Sequence, residues 1–537
     1  MRKKVNKFIT SALCICMLLS LLAGCTGGTN NSVDSPDSAQ DTKSSLKSSD
    51  LAQDKEAGSL QFSYLMPNRY QLWMEDLSYW EDMQKLSKVT IDLVDSGESD
   101  NSYYQSIDLL VGSGDLPDAA IVRQSQASVY GAQGAFKDLQ PLIEEYAPNV
   151  KAYIEANPDY AKMVTSSDRK IYGLGIENPL YTNVTFYRSD HFEKADITAN
   201  PTTIAEFTDT LRTLRIYYDD VQGYYPWIGR ENYLHYAECF ESNDSIDESG
   251  TVHGIYNGGT GYDIYAKGFQ DMIEWYHTLY EEKLIDPEWV MGTATEEEWQ
   301  TKMLTGQGSV CDDFFSRPTW FASNGGPEND PDYAIDVMDL FQTNSGDTAC
   351  RYQNYINLDR YLVIPETAEN TEAVMRFLDW LFSDEGLEVM HYGIDGINTE
   401  KQEDGTYKWI AEFAVEAIKP VGEENYGVYQ DRLTFPYPVD NETYYESLDA
   451  KVQEYCSDYF GKYASYASQI IYTEAQQEER SNLLAKYDTE FAAGVLSFVK
   501  GETEINDTNW QAFLDKMENA GYSKINAIDQ EAYDAMK

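Results

Sequence analysis

Leu60-Gln-Phe-Ser-Tyr-Leu-Met66 alternates apolar and polar residues and stops at Pro67-Asn68. A period of two closed by a turn is the pattern of a half-buried strand. Trp73, Leu77, Trp80, Met83 and Leu86 then recur at spacings of three and four, the stripe of an amphipathic helix. Val89-Thr-Ile-Asp-Leu-Val94 predicts a second strand. A short helix over 101–111 is broken by Gly112-Ser-Gly-Asp-Leu-Pro117, and Asp118-Ala-Ala-Ile-Val122 predicts a third strand. Strand, helix, strand, helix, strand is the order of a parallel, doubly wound sheet with helices on both faces.

The pattern recurs further along. Extended segments are expected from Lys170-Ile-Tyr-Gly-Leu174 and over 183–187, and helices over 207–217 and 269–284. Gly308-Ser-Val-Cys311 leads into Asp312-Asp313-Phe314-Phe315, a strand ending in a loop. Tyr361-Leu-Val-Ile364 reads as a buried strand, and Asn370 or Thr371 as the cap of the next helix. Val374, Phe377, Leu378 and Leu381 form the stripe of that helix, and Gly393 closes the one after. Residues 444–498, and those beyond Thr508, read as mostly helical. No repeat of 20–50 residues is present. About 480 residues of alternating elements suit two α/β lobes and a helical tail.

Composition narrows the function. The 537 residues carry 91 Asp and Glu against 40 Lys and Arg, a net charge of −51, with 42 Tyr. So anionic a surface repels nucleic acid and anionic lipid heads. An apolar content of 42% excludes a disordered chain.

Arg2, Lys3, Lys4 and Lys7 precede an apolar run from Phe8 to Leu22, too short for the roughly 20 residues of a membrane span. This is the layout of a secretory signal peptide over residues 1–24. Leu22-Ala-Gly-Cys25 resembles a bacterial lipobox, in which the thiol of Cys25 receives diacylglycerol before cleavage. An ordinary signal with a chance Cys is the plainer alternative. Maturation at Cys25 leaves 36 basic against 91 acidic residues, a charge of −55. Residues 25–58 are rich in Ser, Asp, Asn, Gly, Thr and Lys and read as a flexible tether reaching roughly 30 Å. Cys239, Cys311, Cys350 and Cys456 remain in the mature chain. They are widely spaced, with three possible pairings and no CxxC zinc spacing.

Catalytic signatures are missing. There is no GxSxG elbow, GxxxxGK[ST] loop or HExxH helix, and Gly173-Leu-Gly175 lacks the third glycine of a dinucleotide loop. The five His show no i,i+4 pair. Paired carboxylates of a surface glycoside hydrolase stay open as an alternative, because 91 acids bring some pair within 5–10 Å by chance. The acidic stretch 243–247 reads as a solvated turn, since it lacks the spacing of a calcium loop. No cofactor and no metal are expected.

Several segments are specific as an ordered set: Gly112-Ser-Gly-Asp-Leu-Pro-Asp118, Arg169-Lys-Ile-Tyr-Gly-Leu174, Lys283-Leu-Ile-Asp-Pro287 and Gly306-Gln-Gly-Ser-Val310. Leu378-Asp-Trp-Leu-Phe-Ser-Asp-Glu-Gly386 and Tyr392-Gly-Ile-Asp-Gly-Ile397 follow. Behind a lipobox, this set resembles the extracellular solute-binding lipoproteins (family 1 type) of sugar ABC importers in Gram-positive bacteria. Gly175 departs from the proline usual after Tyr-Gly-Leu, and the segment after Trp409 matches nothing. The resemblance implies a two-lobe, type II periplasmic-binding-protein-like α/β fold with mixed or parallel sheets, a hinge between lobes and a helical C-terminal region. Lobe 1 would span 59–180 with a return over about 335–395, and lobe 2 would span 181–334 with 396–537. Closure around a ligand would be a hinge motion read by membrane permease subunits driven by a separate ATPase.

A carbohydrate is the implied ligand, and an oligosaccharide in particular. Aromatic rings cover its C–H faces, while Asp, Asn, Arg and Gln bond its hydroxyls. Candidate contacts lie where strands end. These are Asn68, Arg69 and Tyr70 after the first strand, Arg123, Gln124 and Ser125 after the third, and Glu177, Asn178 and Tyr181 at the first crossing. Similarity to maltose-type binding proteins adds Trp227, Arg230 and Tyr233, then Asp312, Asp313 and Trp320. Tyr392 lies near a further turn. Trp73, Trp80, Trp275 and Trp380 fall on helical stripes and are expected in the core. The expected molecule is a monomer on the outer face of the cell membrane. It is held by lipid alone, binds no nucleic acid and is not an enzyme. A sensor or adhesin on the same tether is a third reading.

Overall fold

Ala57–Lys537 form one compact unit and Met1–Glu56 another. The computed structural model describes residues 60–68, 79–97, 100–178, 183–325, 330–349, 352–354, 357–410, 420–421, 425–426, 434–441, 450–459, 465–467 and 470–537. The signal segment, Cys25, the tether, Arg69, Tyr70, Trp73, Tyr181 and Cys350 lie outside the described residues.

The first lobe is built from β1 (Leu60–Leu65), α1 (Trp80–Ser87), β2 (Val89–Val94), α2 (Asp100–Ser113), β3 (Ala119–Arg123) and α3 (Gln124–Ala132). Three short helices follow, α4 (Gln140–Tyr146), α5 (Pro148–Ala156) and α6 (Pro158–Val164), before β4 (Gly173–Asn178). Pro148 and Pro158 sit at first helical positions, where a missing N–H costs nothing. The chain then passes into the second lobe. This holds β5 (Asn183–Arg188), α7 (Ser189–Lys194), α8 (Ile204–Tyr217), a two-residue hairpin β6–β7 (Ser245–Ile246 and Val252–His253) and α9 (Lys267–Glu281). It continues with α10 (Pro287–Val290), α11 (Glu296–Leu304), β8 (Val310–Phe314), α12 (Arg317–Asn324) and β9 (Ile335–Val337). After β10 (Tyr352–Asn354), β11 (Asn357–Val363), α13 (Thr371–Leu381) and α14 (Asp384–Tyr392) return to the first lobe, with the hairpin β12 (Thr399–Lys401) and β13 (Tyr407–Trp409). The chain ends in α15 (Ala450–Asp458), α16 (Glu474–Val499), α17 (Asp507–Ala520) and α18 (Tyr522–Ala535).

Among the described residues the first lobe has a five-stranded sheet in the order β2-β1-β3-β11-β4. β1 is parallel to β2 from Leu60↔Val89 to Leu65↔Val94, and parallel to β3. β11 is antiparallel to both β3 and β4, so β4 runs with β3. The carboxyl ends of β1, β2, β3 and β4 therefore emerge along one edge. The second lobe has the antiparallel order β8-β5-β9.

Two large apolar clusters match the lobes. Phe62, Ile121, Leu174, Leu362, Phe377 and Leu378 are buried in the first. Phe207, Trp227, Met272, Tyr276 and Trp289 are buried in the second, together with Phe498, Phe513, Met517 and Ile525 of the C-terminal helices. The helical tail is thus part of the second lobe's core. Two expected borders move. β9 still pairs with β5, so the return to the first lobe begins only at β11. Phe435 and Tyr437 pack in the first cluster, whereas Val452 and Cys456 join Val184, Phe186 and Trp299 in the second lobe. The segment around Phe435 and Tyr437 therefore packs with the first lobe. Trp80 is buried, and Trp275 and Trp380 pack partly buried against the two cores, as their stripes predict. Cys311 and Cys456 are buried free thiols.

Two polar devices differ from the sequence reading. Asn370 precedes α13 but makes no side-chain cap. Its Nδ2 donates instead to buried Asp118, which also accepts the N–H groups of Glu369 and Asn370 and both donors of Ser63. One carboxylate thereby ties the start of α13 to β1. In the acidic stretch 243–247, Asp244 is not solvated. It is buried and accepts N–H bonds from Asn257, Gly259 and Gly261.

Candidate ligand-binding cleft

Four residues separate Asn178 at the end of β4 from Asn183 at the start of β5. Five backbone steps span at most about 18 Å, so the edges of the two sheets lie close across this crossing. The first-lobe edge carries Asn68 after β1, Arg123, Gln124 and Ser125 at the β3–α3 junction, and Asn178 at the end of β4. These expected residues share one edge because their strands run parallel. Arg123 lies over the ring of Tyr104 from α2, with its Cζ 4.6 Å from the centroid. Its N–H donates to Gln126 Oε1, starting α3 at the edge.

Glu177 departs from the expectation. It is buried, and its two oxygens accept from Tyr153 Oη at 2.7 Å and the Val439 N–H at 3.2 Å. Burial pushes its carboxyl above the ordinary range, although both hydrogen bonds pull it back. It ties the crossing strand to the 434–441 segment and is not presented to a ligand.

The second-lobe edge carries Asp312 and Asp313, inside β8 rather than in a loop beyond it. Successive strand residues point to opposite faces, so the two carboxylates diverge. Asp312 stands opposite Thr185 of β5. It accepts from Thr185 Oγ1 at 3.0 Å and Tyr236 Oη at 3.4 Å, and His235 Nδ1 lies 3.2 Å away. Like Glu177, this carboxylate is buried and bonded within its own lobe, which departs from the expectation that it meets a ligand, and Asp313 is buried as well. Asp313 takes a bidentate bond from Arg230, at 2.8 and 3.0 Å. Burial is the largest single influence and works against the guanidinium charge, but the Asp313 hydrogen bonds together with the charges of Asp313, Glu231 and Glu296 hold the Arg230 pKa above its usual value. Phe314, 36% exposed, lies beside this pair with Arg230 Cζ 5.7 Å from its ring. Trp320 on α12 is half-buried and meets Phe321 edge-on.

Trp227 overturns its expectation. It is fully buried, edge-on to Phe207 and Trp289 and stacked on Tyr276. It is a core residue, and Arg230 three residues on joins Asp313 of β8. Tyr233 packs edge-on against Tyr276. Tyr392 stacks on Tyr407 of the β12–β13 hairpin at 3.9 Å and 10°, so the protein itself covers one face of its ring.

Sequence reasoning missed several residues. A cavity of about 410 Å³ lies between 336–340, which continue β9, and α15. Tyr455 and Tyr459, one helical turn apart, stack in its wall at 5.9 Å and 8°. An adjoining smaller hollow is lined by Asn183 and Thr185 of β5 together with Tyr455 and Tyr459. The i,i+4 tyrosines were visible in sequence. Their facing β9 was not, since more than a hundred residues intervene. At the rim, a groove lined by Ser125, Tyr130 and Gln133 of the first lobe and Gln477, Glu478 and Ser481 of α16 joins the lobes. Among the described residues no cluster of His, Cys, Asp or Glu is placed to hold a metal ion, and no helix is long and apolar enough to cross a membrane.

Residues 73–388, more than half of the chain, match the family of bacterial extracellular solute-binding proteins. The chain belongs to this family. It is a binding protein and not an enzyme, which removes the hydrolase reading. This solute-binding protein is 22% identical over 374 residues to lipoprotein LipO of Bacillus subtilis, covering 67% of this chain and 70% of LipO. It is 24% identical over 403 residues to the fructooligosaccharide ABC transporter substrate-binding protein FusA of Streptococcus pneumoniae, covering 70% and 69%. Its fold matches the crystal structure of the alginate-binding protein AlgQ2 with a TM-score of 0.68, at 20% identity over 89% of this chain and 99% of that one. The two-lobe, type II solute-binding fold is thereby established.

Proposed function

We propose that this solute-binding protein captures an oligosaccharide between its lobes and delivers it to the permease of an ABC importer. The observation that supports the reading is the character of the groups along the first-lobe edge and on the second lobe. Asn68, Arg123, Gln124 and Ser125 lie along the first-lobe edge, and Arg230, Phe314 and Trp320 with the stacked Tyr455 and Tyr459 lie on the second lobe. Asn178 joins the first set by its place at the end of β4. Donors and acceptors beside aromatic faces suit a ring of hydroxyls with apolar C–H faces. Arg69, Tyr70 and Tyr181 belong to the same proposed contact set by sequence position. The fructooligosaccharide and alginate named for two of the similar proteins are both glycans, which supports the ligand class. Membrane attachment through Cys25 follows from the lipobox and tether, and the lipoprotein name of a relative agrees. Two acyl chains hold a protein at a membrane where one does so only marginally.

Calorimetry of the purified protein against neutral oligosaccharides, amino acids and peptides tests the ligand class. Saturable binding of at least one oligosaccharide is expected. Binding of a peptide with no response to any sugar would overturn it. Metabolic labelling with a palmitate analogue, lost on Cys25→Ser, tests the anchor.

A further inference from the structure

We infer that the cavity between 336–340 and α15 is a sugar subsite that accepts uncharged units and rejects carboxylated ones. This rests on the oligosaccharide reading above and adds which sugars the site takes. About 410 Å³ is at the small end of the roughly 300–1,000 Å³ typical of ligand pockets. One wall is aromatic: the half-buried ring of Tyr455, held by parallel stacking on buried Tyr459, suits the C–H face of a pyranose or furanose. The rest of the lining is unusual in its charge. Among the described residues, Asp336, Asp339, Glu454 and Asp458 contribute four carboxylates against the one ammonium of Lys451, and Lys451 already pairs with Asp336.

Carboxylates are strong acceptors for sugar hydroxyls, since such hydrogen bonds are charge-assisted. A neutral sugar therefore gains from this lining. A uronic acid brings a further negative charge among groups whose repulsion is weakly screened in a partly enclosed hollow. Two arginines of this lobe are engaged elsewhere. Arg230 is held by Asp313, and Arg317 bonds Glu296 at 2.8 Å.

The test compares kestose, maltotriose, trigalacturonate and trigalacturonate methyl ester by calorimetry, at low and high NaCl, on the wild-type protein and on an Asp339→Asn/Glu454→Gln variant. Both substituted residues are exposed, so the variant should fold normally. At least one neutral probe should bind with an affinity that salt changes less than about twofold. Trigalacturonate should bind at least tenfold more weakly than any neutral probe that binds. That gap should shrink severalfold in high salt and in the variant. Trigalacturonate binding within threefold of the neutral probes, or a gap unchanged in the variant, would overturn the charge selection while leaving the oligosaccharide reading intact. Failure of all four probes to bind would instead remove the reading on which it rests.

Discussion

Single residues divide sharply between holding the fold and meeting a ligand. Trp227 belongs to the first group: Phe207, Tyr276 and Trp289 surround it, and no solvent reaches it. Trp227→Ala should lower stability by about 3–5 kcal/mol, the range for emptying a buried aromatic site. Among the described residues its indole N–H has no hydrogen-bond partner, so Trp227→Phe loses packing but no hydrogen bond. Urea titration should show that variant folded, with sugar affinity within about twofold of wild type. A large affinity loss would return Trp227 to the cleft. His191 sets a pH dependence. It is buried, its Nδ1 lies 2.7 Å from Ser309 Oγ, and its ring lies against Tyr218. Burial first, then Arg188, pushes its pKa from 6.5 down to about 4, against the pull of Asp190 and Asp330. A folded value below the unfolded one means stability that is complete above pH 6.5 and lost as pH falls toward 4. The loss is at most about 3 kcal/mol. Unfolding free energies at pH 7, 5.5 and 4 should decline less steeply in His191→Asn than in wild type. Equal slopes would show that His191 carries none of the effect.

Elements expose where sequence patterning meets packing. α13 follows its stripe, with Val374, Phe377, Leu378 and Leu381 all buried. α14 opens as its sequence suggests, with Ser383 Oγ accepting from the Gly386 N–H. Gly386 itself has no propensity rationale, because Ala is the better helix former by about 1 kcal/mol. Its reason is tertiary: a Cβ there would sit 1.9 Å from the carbonyl oxygen of Trp380 at the end of α13. Gly386→Ala should therefore destabilise the protein by more than 1 kcal/mol, read as a lower urea midpoint. A stabilised variant would show that propensity outweighs the clash. Gly393 adopts φ 72°, which lets α14 stop. In β8 the adjacency of Asp312 and Asp313 suggests a carboxylate pair. The strand's alternation sends one to Thr185 and Tyr236 and the other to Arg230.

For the whole molecule, the chain passes between the lobes three times, between β4 and β5, between β9 and β11, and between Tyr437 and Val452, a connectivity that suits hinge closure. A saturating sugar should lower the radius of gyration in X-ray scattering. At a hundred times its Kd it should stabilise the folded state by about 2.7 kcal/mol, seen as a higher Tm. An unchanged radius with full binding would argue against closure. Much of this architecture was legible in order and period. The alternation of Leu60–Leu65, the helical stripes and the buried run of β11 depend only on which face of a local element turns inward, and near neighbours decide that. The same holds for the parallel-strand edge that groups Asn68, Arg123, Gln124 and Ser125. What the sequence could not determine are the partners that meet across tens to hundreds of residues. These are Glu177 with Val439, Trp227 with Tyr276 and Trp289, the α16–α18 helices in the second core, and the tyrosines of α15 facing the 336–340 segment. Burial of a Trp or a carboxylate depends on what the rest of the chain packs over it, and that is set by the closed three-dimensional arrangement.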